Sequence, residues 1–178
     1  MDSTAREGVF GIKTARLYLQ KLKAGDAETV FLYRSNDGVS RYQSFHPKTR
    51  QDVIRFIMDN TKHIDVDHTW FQLGIHLLSG ELIGDFGIHF ISKHEGICEI
   101  GYTIRPEYQR RGFGREAATG VLAYLFETME KKEVRASIDP NNEPSRKMIE
   151  SMGFTLKAQK PNDLEYTVSR EDFGSAIR

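Results

Sequence analysis

The sequence predicts an α/β domain built on a mixed, mostly antiparallel sheet with one parallel strand pair and about four helices on its faces. Three observations carry this. Residues 70–104 hold three consecutive strand-like runs joined by short turns, the pattern of an antiparallel meander. A helical run, residues 114–129, then separates the third of these from a further strand at 134–138. A strand–helix–strand crossover of that kind is right-handed and leaves its two strands parallel. Apolar residues also recur at helical spacing in three other segments.

The elements follow in order. Residues 16–22, RLYLQKL, alternate Leu17, Leu19 and Leu22 imperfectly with polar residues and form the first strand. GDAETVFLYR sets Ala27, Val30, Phe31 and Arg34 at helical spacing after a Gly-Asp start. In TRQDVIRFIMDN, ending at Asn60, Thr49 and Asp52 fit a capping box, and Val53, Phe56 and Ile57 form one helical face. WFQLGIHLL, the turn SGE and LIGDFGIHF make a hairpin, and ICEIGYTI, residues 97–104, is the next strand. Its alternation sets Cys98, Ile100, Tyr102 and Ile104 on one face and Ile97, Glu99, Gly101 and Thr103 on the other. The following helix carries the stripe Ala118, Val121, Leu122, Leu125 and Met129. After the strand VRASI, EPSRKMIESM is a helix with Pro144 in its first turn and Gly153 as its C-terminal cap. FTLKA and LEYTV close the sheet. A single domain over residues 1–178, with its core at roughly 12–172, accounts for all of this.

Composition excludes several classes. Lys plus Arg is 25 and Asp plus Glu is 25, so nothing predicts a nucleic-acid or anionic-membrane partner. No apolar run approaches the ~18 residues of a membrane span. MDSTAREGVFGIKTAR lacks the apolar core of a signal peptide, and the expected location is the cytoplasm. Cys98 is the single cysteine, which rules out an intrachain disulfide and a cysteine-based zinc site. Strand alternation also places it on a mostly apolar face, so it reads as a buried structural thiol rather than a nucleophile. HIDVDH, residues 63–68, holds two histidines and two aspartates without helical HxxxH spacing, and no metal is expected.

The chemistry concentrates in QRRGFGREA, residues 109–117. A Gly-x-Gly segment at a helix start exposes amide donors and the positive end of a helix dipole, which suits a phosphate. A dinucleotide-binding turn would set the first glycine directly after a buried parallel strand, whereas here RPEYQRR intervenes. A Walker loop is excluded because the chain has no Gly-Lys-Ser or Gly-Lys-Thr. YQRRGFG instead fits Gln/Arg-x-x-Gly-x-Gly/Ala, and DPNNEPSRKMIESMGF, one helix and one strand later, adds an Asn-x-x-Ser segment followed by a helix and Gly-Phe. With these features in this order the chain resembles the GNAT superfamily of N-acetyltransferases. It is most similar to the branch that includes the bacterial enzymes acetylating ribosomal-protein N-termini.

That resemblance implies the GNAT fold and direct transfer of an acetyl group from acetyl-CoA to a primary amine, either a small molecule or a protein N-terminus. The pyrophosphate would rest on Gln109, Arg110, Arg111, Gly112, Phe113, Gly114 and Arg115. The backbone of Tyr102, Thr103 and Ile104 would line the acetyl and pantetheine slot, with Asn142 and Ser145 facing the pantetheine arm. Glu99, a mid-strand carboxylate, is the general-base candidate, with Glu81, Asp85, His89 and Glu165 as weaker rivals. Many relatives carry an acidic tyrosine where this chain has Ile149, so Ser145 is the candidate acid. SNDGVSRYQSFHPKTR and DVDHTWF should line the acceptor side. The same loop would also serve a non-catalytic acetyl-CoA sensor. A monomer and a homodimer both fit.

Overall fold

Eight strands form one sheet, ordered β1-β2-β3-β4-β5-β6-β8-β7, in a computed structural model that describes residues 10–59 and 63–177. The strands are β1 (Gly11–Lys13), β2 (Leu17–Lys21), β3 (Thr69–Leu77), β4 (Leu82–Ser92), β5 (Ile97–Ile104), β6 (Glu133–Ile138), β7 (Thr155–Lys160) and β8 (Asp163–Ser169). The helices are α1 (Ala27–Arg34), α2 (Asp37–Ser40), α3 (Arg50–Met58), α4 (Phe113–Ala123), α5 (Glu143–Glu150) and α6 (Arg170–Ala176). Every strand pair is antiparallel except β5–β6.

The mixed α/β class and the lone parallel pair match the sequence expectation. Among the described residues the helix number is corrected from about four to six, and the strands from seven to eight. The additions are short. β1 has three residues and buries only Ile12; α2 has four residues. α6 buries only Phe173 and is capped by Ser169, whose hydroxyl accepts the Asp172 amide. None carries enough periodic apolar residues to signal itself. The first nine residues of the stretch tested for a signal peptide, and Asn60 at the predicted end of α3, lie outside the described residues. No helix among the described residues is long and apolar enough to cross a membrane.

Apolar side chains fill both faces of the sheet. On one, α4 and α5 bury Ala118, Val121, Leu122 and Ile149 against Phe86, Ile88, Cys98 and Ile100. On the other, Val30, Tyr33, Val53 and Ile57 of α1 and α3 pack with Leu22 and Leu82. The predicted caps form: Thr49 Oγ1 accepts the Asp52 amide while Asp52 accepts the Thr49 amide, and Gly153 takes φ +90° after α5.

One feature of the sheet positions everything that follows. β5 and β6 are paired only through Ile97–Glu133, Cys98–Val134 and Glu99–Arg135. Beyond Glu99 the two strands part, and the edge of β5 from Ile100 to Ile104 faces a gap rather than a neighbouring strand.

Candidate active site

The chain leaves β5 through a short, heavily anchored connection. Arg105 donates its amide to the Ile83 carbonyl, and Tyr108 donates its hydroxyl to Glu81 at 2.6 Å. Gln109 Nε2 donates to the Ile104 carbonyl at 2.9 Å, folding the loop back on the strand end. Arg110 and Gly112 then both adopt left-handed backbone, φ 58° and 80°. Left-handed residues in a tight turn point successive amides into one concavity, an anion-binding nest. α4 begins at the next residue and adds its unpaired first-turn amides.

Gly114 lies inside α4, and a Cβ there would meet nothing closer than 3.6 Å, so the fold itself does not demand glycine. A group approaching the helix start from outside would demand it. The loop is clamped from behind: Glu116 accepts the Thr14 hydroxyl, the Arg16 amide and Arg16 Nε, while the Arg16 guanidinium covers the Phe113 ring at 4.3 Å and donates to the Arg111 carbonyl.

A cleft of about 420 Å³ opens where β5 and β6 part. The predicted residues Tyr102, Thr103, Ile104, Gln109, Arg110, Gly112, Phe113, Gly114, Arg115, Asn142 and Ser145 all line it. Arg111 is not among its lining residues; its guanidinium lies over the rings of Tyr108 and Phe113. The Arg115 side chain is exposed and donates to Ser151 Oγ at 2.7 Å, at the end of α5. Asn142 caps α5, its Oδ1 accepting the Ser145 amide.

Sequence reasoning missed the phenol of Tyr102, which sits 2.9 Å from Ser145 Oγ. Strand alternation assigned Tyr102 to the apolar face, where its ring does pack near Phe86, but its oxygen reaches the cleft. Burial raises the Tyr102 pKa, with the Ser145 hydrogen bond acting in the opposite direction, so the phenol keeps its proton at neutral pH. Cys98 is fully buried, and burial pushes its thiol up to about 12, which leaves it inert at neutral pH.

Glu99 lines neither this cleft nor the cavity beside it; it lies two residues before Gly101 on the same strand face, with His89 Nδ1 at 3.4 Å from its carboxylate. Among its rivals, Asp85 is wholly buried, paired with Arg34 Nε at 2.9 Å and with Arg34 Nη2, and it accepts the Tyr33 hydroxyl. Glu81 is engaged by Tyr108 and Arg105. Glu165 sits between β6 and β7, opposite Ser137 and Ala158.

A second cavity, of about 460 Å³, lies on the α1–α3 side of the sheet. Its floor is Gln72 with the paired glycines Gly87 and Gly101; its walls include Arg34, Phe45, Phe56 and Trp70. The two segments expected on the acceptor side do line it, through Gln43, Ser44 and Phe45 and through His68, Thr69 and Trp70. Gln43 lines both cavities and donates to the Tyr102 carbonyl at 3.4 Å. In the 63–68 segment, Asp65 binds Lys131 and Lys93. Among the described residues no three His, Cys, Asp or Glu side chains are grouped to hold a metal ion.

A loop nest at a helix start, opening onto a slot along Tyr102–Ile104, is the arrangement that the sequence resemblance implied. The model of the acetyltransferase (GNAT) domain matches residues 16–155. The chain belongs to the GNAT acetyltransferase family. This acetyltransferase is 30% identical over 144 residues to the uncharacterized N-acetyltransferase YoaA of Bacillus subtilis, covering 80% of this chain and 81% of the relative. YdaF of the same organism, named as a proposed ribosomal N-acetyltransferase, is 32% identical over 150 residues, with 84% and 81% covered. Among solved structures, a GNAT acetyltransferase from Bacillus anthracis aligns with a TM-score of 0.80 at 25% identity, over 91% of this chain and 99% of that one. The spermidine N-acetyltransferase of Vibrio cholerae, solved with CoA and spermine, shares the fold at 17% identity and a TM-score of 0.77, over 90% and 99% of the two chains. Members of this family take their acetyl group from acetyl-CoA.

Proposed function

We propose that this GNAT acetyltransferase, acting as one domain over residues 1–178, moves the acetyl group of acetyl-CoA directly to a primary amine with both substrates bound at once. The observation that carries this is the meeting of two cavities: the cleft along the unpaired edge of β5 and the cavity over Gly101 share Gln43 and adjoin at Gly101–Thr103.

In this reading the nest at Arg110–Gly112 and the first amides of α4 hold the pyrophosphate, with Gln109, Arg111, Phe113 and Arg115 shaping and supporting that loop. Gly114 leaves room for phosphate oxygens at the helix start. Asn142 and the edge of β5 at Tyr102, Thr103 and Ile104 line the pantetheine path. A strand residue sends its amide and carbonyl to the same edge, so the Tyr102 amide leaves β5 on the side where its carbonyl meets Gln43. An amide there is placed to stabilise charge building on the thioester oxygen.

Acetyl-CoA supplies an acyl carbon attached to a good leaving group. The neutral amine nitrogen attacks that carbon; the C–N bond forms, the C–S bond breaks, and the sulfur keeps the bonding pair. The nitrogen loses one proton, for which Glu99 with His89 is the acceptor, reached through water along the Gly101 face. The sulfur gains one proton from the Tyr102–Ser145 pair, whose phenol is the stronger acid of the two hydroxyls.

The test is a library of amines and peptides incubated with acetyl-CoA, read by mass spectrometry for added acetyl groups and by CoA thiol release. Turnover that Glu99→Gln and Ser145→Ala both leave unchanged removes the roles given to those side chains. Tight NAD binding without CoA binding removes the donor assignment.

A further inference from the structure

Gln72 lines the second cavity and carries an unmet hydrogen-bonding group. It sits in the middle of β3, is 7% exposed, and its Oε1 is buried with no hydrogen-bond partner. A buried carbonyl-type oxygen without a donor costs free energy, and such groups are rare unless something else supplies the donor. The Gln72 carboxamide lies over Gly87: a Cβ on Gly87 would come within 2.7 Å of Nε2 and 3.0 Å of Oε1. Gly87 is paired with Gly101 on β5, one strand spacing of about 4.8 Å away. A Cβ on Gly101 would meet nothing within 4 Å, so the space above it is open. Open floor beside a donor-seeking oxygen, next to the residues assigned to the thioester, is where an attacking amine belongs.

The walls describe what carries the amine. Trp70 is 42% exposed and stacks on His89, while Phe45 and Phe56 stack on each other with centroids 4.3 Å apart. The cation in the wall, Arg34, is committed to Asp85. Asp59 is the one carboxylate among the described residues lining this cavity, whereas a polyamine would call for several acids spaced along its length.

We propose that Gln72 Oε1 accepts an N–H of the acceptor amine and that the acceptor is a primary amine borne on an aromatic or bulky apolar body, held between Trp70 and the Phe45–Phe56 pair. This rests on the acetyl-transfer assignment above. A neutral primary amine has two N–H groups and one lone pair; engaging one N–H at Gln72 limits the directions open to the lone pair and favours Gly101–Thr103. The shared chemistry is met by a free arylalkylamine and by a peptide with an aromatic first residue.

The experiment compares kcat/KM of the wild type for 2-phenylethylamine, for a tripeptide beginning with Phe, and for spermidine, with CoA affinity measured separately by calorimetry. One or both aromatic amines should exceed spermidine by about tenfold or more, and the better of the two identifies the source. Gln72→Met keeps an unbranched side chain of similar length and drops the amide. It should lower kcat/KM for the aromatic amine about tenfold, the effect of one lost hydrogen bond, while leaving CoA affinity and the KM for acetyl-CoA unchanged. Gln72→Glu should move the pH of half-maximal rate upward, because a carboxylate beside the bound amine favours its charged, unreactive form. A preference for spermidine, or amine turnover that Gln72→Met leaves intact, overturns this inference alone. Wild-type protein that binds no CoA overturns the donor assignment, and this one with it.

Discussion

Replacing Tyr102 with Phe removes one oxygen, the one that touches Ser145 in the cleft. If that phenol protonates the departing sulfur, Tyr102→Phe should lower kcat by about a hundredfold, at the lower end of general-acid effects, with the KM for acetyl-CoA nearly unchanged. The pH profile follows from the sign of the shift. Burial raises the Tyr102 pKa, so the protonated, active form persists as pH rises, and this group should impose no alkaline loss of kcat below the usual tyrosine value of about 10. Steady-state rates from pH 6 to 10 check both points. A second residue-scale prediction concerns Asp85, which is wholly buried against Arg34. Arg34→Leu strands that carboxylate and should destabilise the fold by about 3–5 kcal/mol in urea denaturation, whereas removing both charges together should recover much of the loss.

Two glycines at the start of α4 separate folding from binding. Gly112 has φ +80°, so Gly112→Ala should cost about 1–2 kcal/mol of stability. Gly114→Ala sits inside α4, where its Cβ would make only ordinary van der Waals contacts at 3.6 Å, and should instead add about 0.5–1 kcal/mol, since alanine favours helix over glycine. Both should weaken CoA binding. A Gly114→Ala protein that melts higher and binds CoA as well as wild type would remove the close approach argued for the helix start. At the start of α3, hydrogen bonds from Arg55 and from the Thr49 and Lys48 region hold the Asp52 carboxyl down to about 2. A depressed folded-state pKa stabilises above the unfolded value of about 3.9 and is lost as pH falls through the folded one. The part of the acid destabilisation between about pH 5 and 2 that belongs to this cap should therefore disappear in Asp52→Asn, measured by thermal melts across that range.

The loop from Gln109 to Gly114 and the cap formed by Asn142 and Ser145 were legible in the sequence because their chemistry is local: left-handed glycine, helix start, cap. The capping box at Thr49 was legible for the same reason. The segments carrying Phe45 and Trp70 were expected on the acceptor side, but Gln72 belongs to no motif and meets them only because β3 and the segment after α2 converge on one sheet face. The Arg16–Glu116 clamp joins residues 100 positions apart. Tyr102 was assigned to the apolar face by period-two alternation, which gives the direction of a side chain but not how far its oxygen reaches.

At the scale of the molecule, binding and stability are one equilibrium. A ligand that occupies only the folded state, at a hundred times its Kd, adds about 2.7 kcal/mol. For a chain of 178 residues this corresponds to a rise in Tm of about 5–10 °C. Acetyl-CoA should produce that rise and NAD should not, in a thermal-shift measurement that needs no knowledge of the acceptor.

Cys98, the lone cysteine, is sealed between the sheet and the helices, and its thiol is far from ionising at neutral pH. A colorimetric disulfide reagent should therefore find native protein silent and report only sulfhydryl liberated from spent donor, giving a continuous readout free of background from the catalyst. In the same cuvette, delayed reagent uptake equal to the protein concentration would time the chain's own unfolding.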